Sequence, residues 1–115
     1  IPPIMIYQES NELKKSLKFW YRLPGHYHGS ENYSVFAPRL EIINYYMEEL
    51  RKYGWEFIAE EDNVEKSNGK KVEEKYIFRN GTYELQISFP VETTVNFEGV
   101  VYEKSYYIIV FPINR

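Results

Sequence analysis

Cysteine is absent from the 115 residues, which excludes disulfide scaffolds, thiol nucleophiles and cysteine metal sites. Histidine is nearly absent too. His26 and His28, flanking Tyr27, are the only two, whereas a stable metal site usually draws three or four ligands, so no metal is expected. The six glycines and six prolines read as punctuation. None of the glycines forms a phosphate-binding loop or frames a serine as a nucleophile elbow does. No apolar run approaches the length of a membrane span. Excess basic charge is lacking as well: 14 Lys and Arg against 17 Asp and Glu leave a net charge of −3, without the positive field that binds nucleic acid. Carboxylates are abundant in Glu60, Glu61, Asp62, Glu73 and Glu74. They fall in stretches that read as a hairpin tip and a solvated strand face, not as a shielded cleft that shifts a carboxyl toward acid–base work. Neither catalytic residues nor a cofactor is expected, and the chain reads as no enzyme.

What the chain has is rings. Aromatic residues make up 18% of it, with 12 Tyr and 7 Phe, enough to build much of a core from them. A chain of this length makes one domain, residues 1–115. It begins at Ile1 with Pro2 and Pro3 close behind, so residues 1–16 read as an extended lead-in, and a signal peptide, lipid anchor, tag or further domain is expected to have preceded it.

The clearest element is a helix from Pro38 to about Tyr53. Leu40, Ile43, Met47 and Leu50 recur at helical spacing with charged residues between them, and Pro38 suits the first helical position. Gly54 supplies a left-handed stop, which brings Leu50 and Trp55 together in a Schellman turn. Strands are expected at Leu17–Leu23, Tyr33–Phe36, Trp55–Ala59, Val72–Arg79, Thr82–Glu92 and Tyr106–Ile113, from alternation or β-rich runs bounded by turn residues. Asn68-Gly69 and Asn80-Gly81 mark hairpin turns within the third and fourth of the connections between these strands. Between the third and fourth strands, the charged run Glu60 to Lys71 reads as an exposed tip. The last strand is apolar on both faces and belongs at the centre of the sheet. The expected fold is α+β: an antiparallel sheet of about five or six strands with one long helix packed across one face.

A helix on one face leaves the other. Trp20, Ile77, Tyr107, Ile109 and Phe111 are the candidates for that helix-free face, and rings left open there would form a partner-binding surface. The alternative is that the N-terminal arm or the curvature of the sheet covers them.

The run Ile43-Asn-Tyr-Tyr-Met-Glu-Glu-Leu-Arg-Lys-Tyr-Gly-Trp55, followed by Phe78-Arg-Asn-Gly-Thr82 and a last apolar strand, resembles small bacterial envelope lipoprotein domains of uncharacterised function. That resemblance implies an extracytoplasmic location, a lipid anchor upstream of the chain, no enzyme activity and no functional residues to carry over. Two functions remain open. One is a non-catalytic interaction or structural module that binds a protein partner or a second copy, through the aromatic back of the sheet or an exposed edge strand. The other is a ligand-binding or enzymatic domain with a pocket near residues 24–32.

Overall fold

The computed structural model describes residues 11–12 and 29–113. Seven strands and one α-helix follow the order β1 (Asn11–Glu12), β2 (Gly29–Pro38), α1 (Arg39–Lys52), β3 (Glu56–Val64), β4 (Lys71–Asn80), β5 (Tyr83–Pro90), β6 (Thr94–Phe97) and β7 (Val100–Pro112). The strands form one antiparallel sheet in the order β1-β2-β7-β5-β4-β3, and β6 pairs with β7 beyond the end of β5. The expected α+β fold, about five or six strands with one long helix packed across one face, is therefore corrected: the fold is sheet-dominated, with seven strands and a helix of only 14 residues. Two features escaped the sequence patterns. Charged residues 60–64 continue β3 instead of forming a tip, because an edge strand open to solvent on both faces needs no alternation. Residues 94–104 add the β6–β7 hairpin: Asn96 to Gly99 reads as a turn in the sequence and does turn, at Glu98 (φ 52°) and Gly99 (φ 81°), but the paired strands on either side of it were not expected.

The strand expected at Leu17–Leu23, the lead-in before Asn11, and His26 and His28 lie outside the described residues. Gly29 to Asn32, which after Pro24-Gly25 read in the sequence as part of a loop over residues 26–32, instead start β2. β7 occupies the centre, with β2 on one side and β5 and β6 on the other.

The β4–β5 hairpin pairs Asn80 with Tyr83, Phe78 with Leu85, Tyr76 with Ile87 and Glu74 with Phe89. Its two-residue loop is thus Gly81-Thr82, one residue later than the expected Asn80-Gly81, with Gly81 at φ 61°. Moving the loop by one residue slides the pairing by two, and since side chains alternate with period two, the same residues still share a face. Phe78, Leu85, Ile87 and Phe89 accordingly lie in the core with Tyr33, Tyr106, Ile108 and Val110.

The helix meets this face through Ile42, Ile43, Tyr46 and Leu50, all buried. Leu40, expected on the apolar stripe, is 71% exposed, and Met47 is half-buried. The helix is turned toward its tyrosine because Tyr46 offers more than area. Its hydroxyl sits 2.7 Å from that of Tyr106 in the buried interior, and its ring meets the Tyr106 ring edge-on at 5.9 Å, so a large ring is buried without stranding its polar end. Pro38 stands just before the helix in extended conformation, as the cap, not the first helical residue.

The helix ends as its spacing predicts. The Trp55 amide donates to the Leu50 carbonyl and the Gly54 amide to the Arg51 carbonyl, at 3.0 and 3.1 Å, the two bonds of a Schellman turn, with Leu50 and Trp55 both buried. Gly54 stands at φ 92°, and a Cβ there would lie 3.0 Å from the Asn80 side-chain amide, which itself donates to the Tyr53 carbonyl. Gly54→Val is expected to destabilise the protein by about 1–3 kcal/mol, the cost of a side chain in sparsely populated backbone space. Thermal melting of the two proteins checks it; equal midpoints would refute this account of the helix stop.

Candidate functional site

A concave surface lies between α1 and β3. The Schellman turn delivers the chain from Lys52 to Glu56 in three residues, so helix and strand are joined at one end and a groove runs away from that junction. Near it, Met47, Trp55, Phe57 and Phe78 make an apolar floor, and Asn44, Glu48, Arg51 and Glu56 complete a cavity of about 500 Å³. Farther along, Arg39, Leu40, Glu60, Glu74 and Tyr76 line a second cavity of about 390 Å³, closed off by the β6–β7 turn. The Phe57 ring connects the two. It meets Phe78 edge-on at 5.5 Å and lies 6.5 Å from the ring of Tyr76, which lines the second cavity.

β3 forms one wall, and it is the last strand of the sheet. Among the described residues, nothing pairs with its outer edge, and every one of its residues except Ala59 is exposed. Its pairing with β4 skips between Phe57 and Ala59, so Ile58 is an extra residue, a β-bulge. Phe57 stands opposite Phe78, Glu60 opposite Tyr76 and Asp62 opposite Glu74. Paired residues share a face of the sheet. Phe57, Glu60 and Asp62 therefore stand on the helix side, a ring followed by two carboxylates.

The floor of the second cavity is charged but internally balanced. Arg39, the first residue of α1, bonds Glu74 of β4 and donates through Nε to Glu103 of β7, while its guanidinium lies 5.3 Å from the centre of the Phe89 ring. Thr94 adds a hydrogen bond to Glu103 at 3.1 Å, and Lys71 bonds the other oxygen of Glu74. The Glu103 side chain is completely buried. Burial pushes its carboxyl above the ordinary range, against the opposing pull of Arg39. For Arg39 burial works downward, but the bond and charge of Glu103 and the charge of Glu74 outweigh it and hold the guanidinium above its ordinary value. Burial also acts to raise Glu74, yet the Lys71 hydrogen bond and the Arg39 charge prevail and keep it below the usual carboxylate range. Tyr76 is raised, first by burial and then by the neighbouring Glu60 charge. Two cations and two anions thus satisfy one another. Glu60 and Glu56 take part in none of the ion pairs among the described residues.

Of the residues proposed for the helix-free face, Trp20 lies outside the described residues. The sheet brings the other four together: Ile77, Gln86 and Ile109 form one row across β4, β5 and β7, with Tyr107 and Phe111 in the flanking rows. Ile77 is buried, and Tyr107, Ile109 and Phe111 are half-buried. This side is not the solvated surface that its polar residues suggested, since Ser88 and Glu84 are buried as well. Glu84 accepts from Arg79 and Gln86, at 3.1 and 2.7 Å, and Tyr107 donates to Glu73. A separate exposed apolar cluster stands on the β6–β7 hairpin and the end of β2, where Phe36 stacks on Tyr102 at 5.1 Å beside Val95 and Phe97.

The groove itself was missed by reading the sequence, although its parts were visible: the alternation from Trp55 to Ala59 and the absence of glycine or proline from Glu60 to Val64 are the signals that β3 runs on. Among the described residues no group of three or more His, Cys, Asp or Glu could hold a metal ion, and no helix is long and apolar enough to cross a membrane. No family model, curated protein or solved structure matches the chain.

Two consequences of the charge cluster are measurable. Arg39→Ala leaves the Glu103 carboxylate buried without its cation, and the expected loss is about 3–5 kcal/mol of stability in urea unfolding. Glu74→Gln tests the depressed carboxyl. A lowered pKa in the folded state stabilises the protein above the unfolded value of about 4.3, and that stabilisation is lost as pH falls through the folded pKa. The stability gap between the wild type and Glu74→Gln should therefore be widest near neutrality and narrow as pH falls below the unfolded value of about 4.3; a gap unchanged from pH 7 to pH 3 would contradict it.

Proposed function

We propose that this chain is a non-catalytic protein-interaction module that captures an extended segment of a partner along the outer edge of β3, in the groove beside α1. The observation that carries this reading is the coincidence of a nine-residue edge strand, unpaired on its outer side among the described residues, with an apolar groove on one flank. An incoming strand gains affinity from main-chain hydrogen bonds to the edge, while alternate side chains enter the groove and supply specificity. The chemistry of the carboxylates favours binding over catalysis. Glu103 is raised but sealed behind Arg39, and Glu74 is held ionised by two cations, so neither offers a titrating group to a substrate. An envelope location, with a lipid anchor ahead of the chain, belongs to the same proposal through the resemblance carried by the helix and Gly54-Trp55.

Hydrogen exchange tests the edge directly. Peptides selected from a random displayed library on the immobilised protein are expected to slow amide exchange in β3, residues 56–64, when added in solution. Selected peptides that protect other amides and leave β3 unchanged would overturn the assignment.

A further inference from the structure

The groove also specifies the kind of segment it takes, and the following rests on the strand-addition reading just given. Its two halves differ in chemistry. Near the helix end, Met47, Trp55, Phe57 and Phe78 offer an apolar recess with room for an aromatic or large aliphatic side chain. At the second cavity, Arg39 and Lys71 are consumed by Glu103 and Glu74, so the charge left over at the β3 edge is Glu60. Glu60 is exposed, opposite Tyr76, and on the same side of the strand as Phe57.

The bulge sets the spacing. Phe57 and Glu60 are three residues apart on β3, yet their partners on the regular strand β4, Phe78 and Tyr76, are only two apart. A regular strand laid on the outer edge would present groove-facing side chains every second residue. We infer that β3 recognises an extended segment carrying a large apolar residue and, two residues away, a lysine or arginine: the apolar side chain fills the recess over Phe57, and the cation meets Glu60. The acidic run Glu60, Glu61 and Asp62 serves a second purpose. Two copies of β3 pairing edge to edge in antiparallel fashion about their centre would bring these like charges together, which disfavours self-pairing and reserves the edge for a basic partner.

The test uses a fluorescein-labelled peptide, Ser-Thr-Lys-Thr-Phe-Thr-Lys-Thr-Ser, whose lysines lie two residues from the phenylalanine on either side and so serve both strand directions, and a counterpart with both lysines replaced by glutamate. Anisotropy titrations are run on the wild type and on Glu60→Lys, an exposed position where the folded state is checked by circular dichroism. The expected result is that the wild type binds the lysine peptide about two- to fivefold more tightly than the glutamate peptide, the range one exposed ion pair supplies, and that Glu60→Lys reverses the preference. Raising the salt should narrow the difference. Equal binding of both peptides, with β3 amides protected by each, would overturn the charge specificity while leaving strand addition intact. Binding of neither peptide at millimolar concentration would overturn both.

Discussion

The backbone of β7 has to be paired along both edges, and the arrangement of the other strands follows from that demand. Its side chains are apolar or half-buried on both faces from Tyr106 to Phe111, and a buried amide or carbonyl left without a partner costs about 1–3 kcal/mol. β2 serves one edge. On the other, β5 covers Tyr107 to Pro112 and β6 covers Val100 to Glu103. The break between β5 and β6 falls where Pro90 is followed by a single 3₁₀ turn, Val91–Thr93. The Thr93 hydroxyl donates to the Pro90 carbonyl at that point, at 3.2 Å, and the Thr94 hydroxyl shares its one proton between that carbonyl and Glu103, at 3.0 and 3.1 Å, so the interruption is itself hydrogen-bonded.

With β7 central, β4 and β3 are pushed outward, and β3 becomes an edge. The helix is then held at its two ends by different means. Arg39 ties its start to β4 and β7 through buried charge, and the Schellman turn ties its end to β3 through Leu50 and Trp55. Between those two fastenings, α1 and β3 face each other across rings instead of through close packing, and that gap is the groove. The site is in this sense a by-product of how the core is anchored: the residues that close the core, Trp55 and Phe78, are also its floor.

Local chemistry was legible wherever one residue type has few conformational choices. Gly54 stopping the helix, Asn68-Gly69 and Gly81 at turns, and the doubly apolar last strand were all readable, because each follows from a backbone preference or a period. The face of the β4–β5 hairpin survived an error in its loop, since a slip of two residues preserves alternation. Elements whose stability comes from neighbours were not readable. β3 beyond Ala59 carries a run of acids that alone suggests a loop, and only its ladder to β4 makes it a strand. The helix face was misjudged by its first turn, Leu40 against Tyr46, because the hydroxyl of Tyr106 that receives Tyr46 stands 60 residues away.

The sequence by itself determined the local punctuation: one helix with its stop, the turns, the aromatic supply for a core, and the lack of cysteine, of excess positive charge and of nucleophile motifs. Only the tertiary structure decided that strands outweigh the helix, that Arg39, Glu74 and Glu103 converge from three elements, and that Phe57 and Glu60 border one groove. The physical reason is separation along the chain. Propensity and periodicity act within a few residues, whereas Arg39 meets Glu74 and Glu103 across 35 and 64 positions, and which edge of a sheet stays open is settled only when every other strand has found its partner.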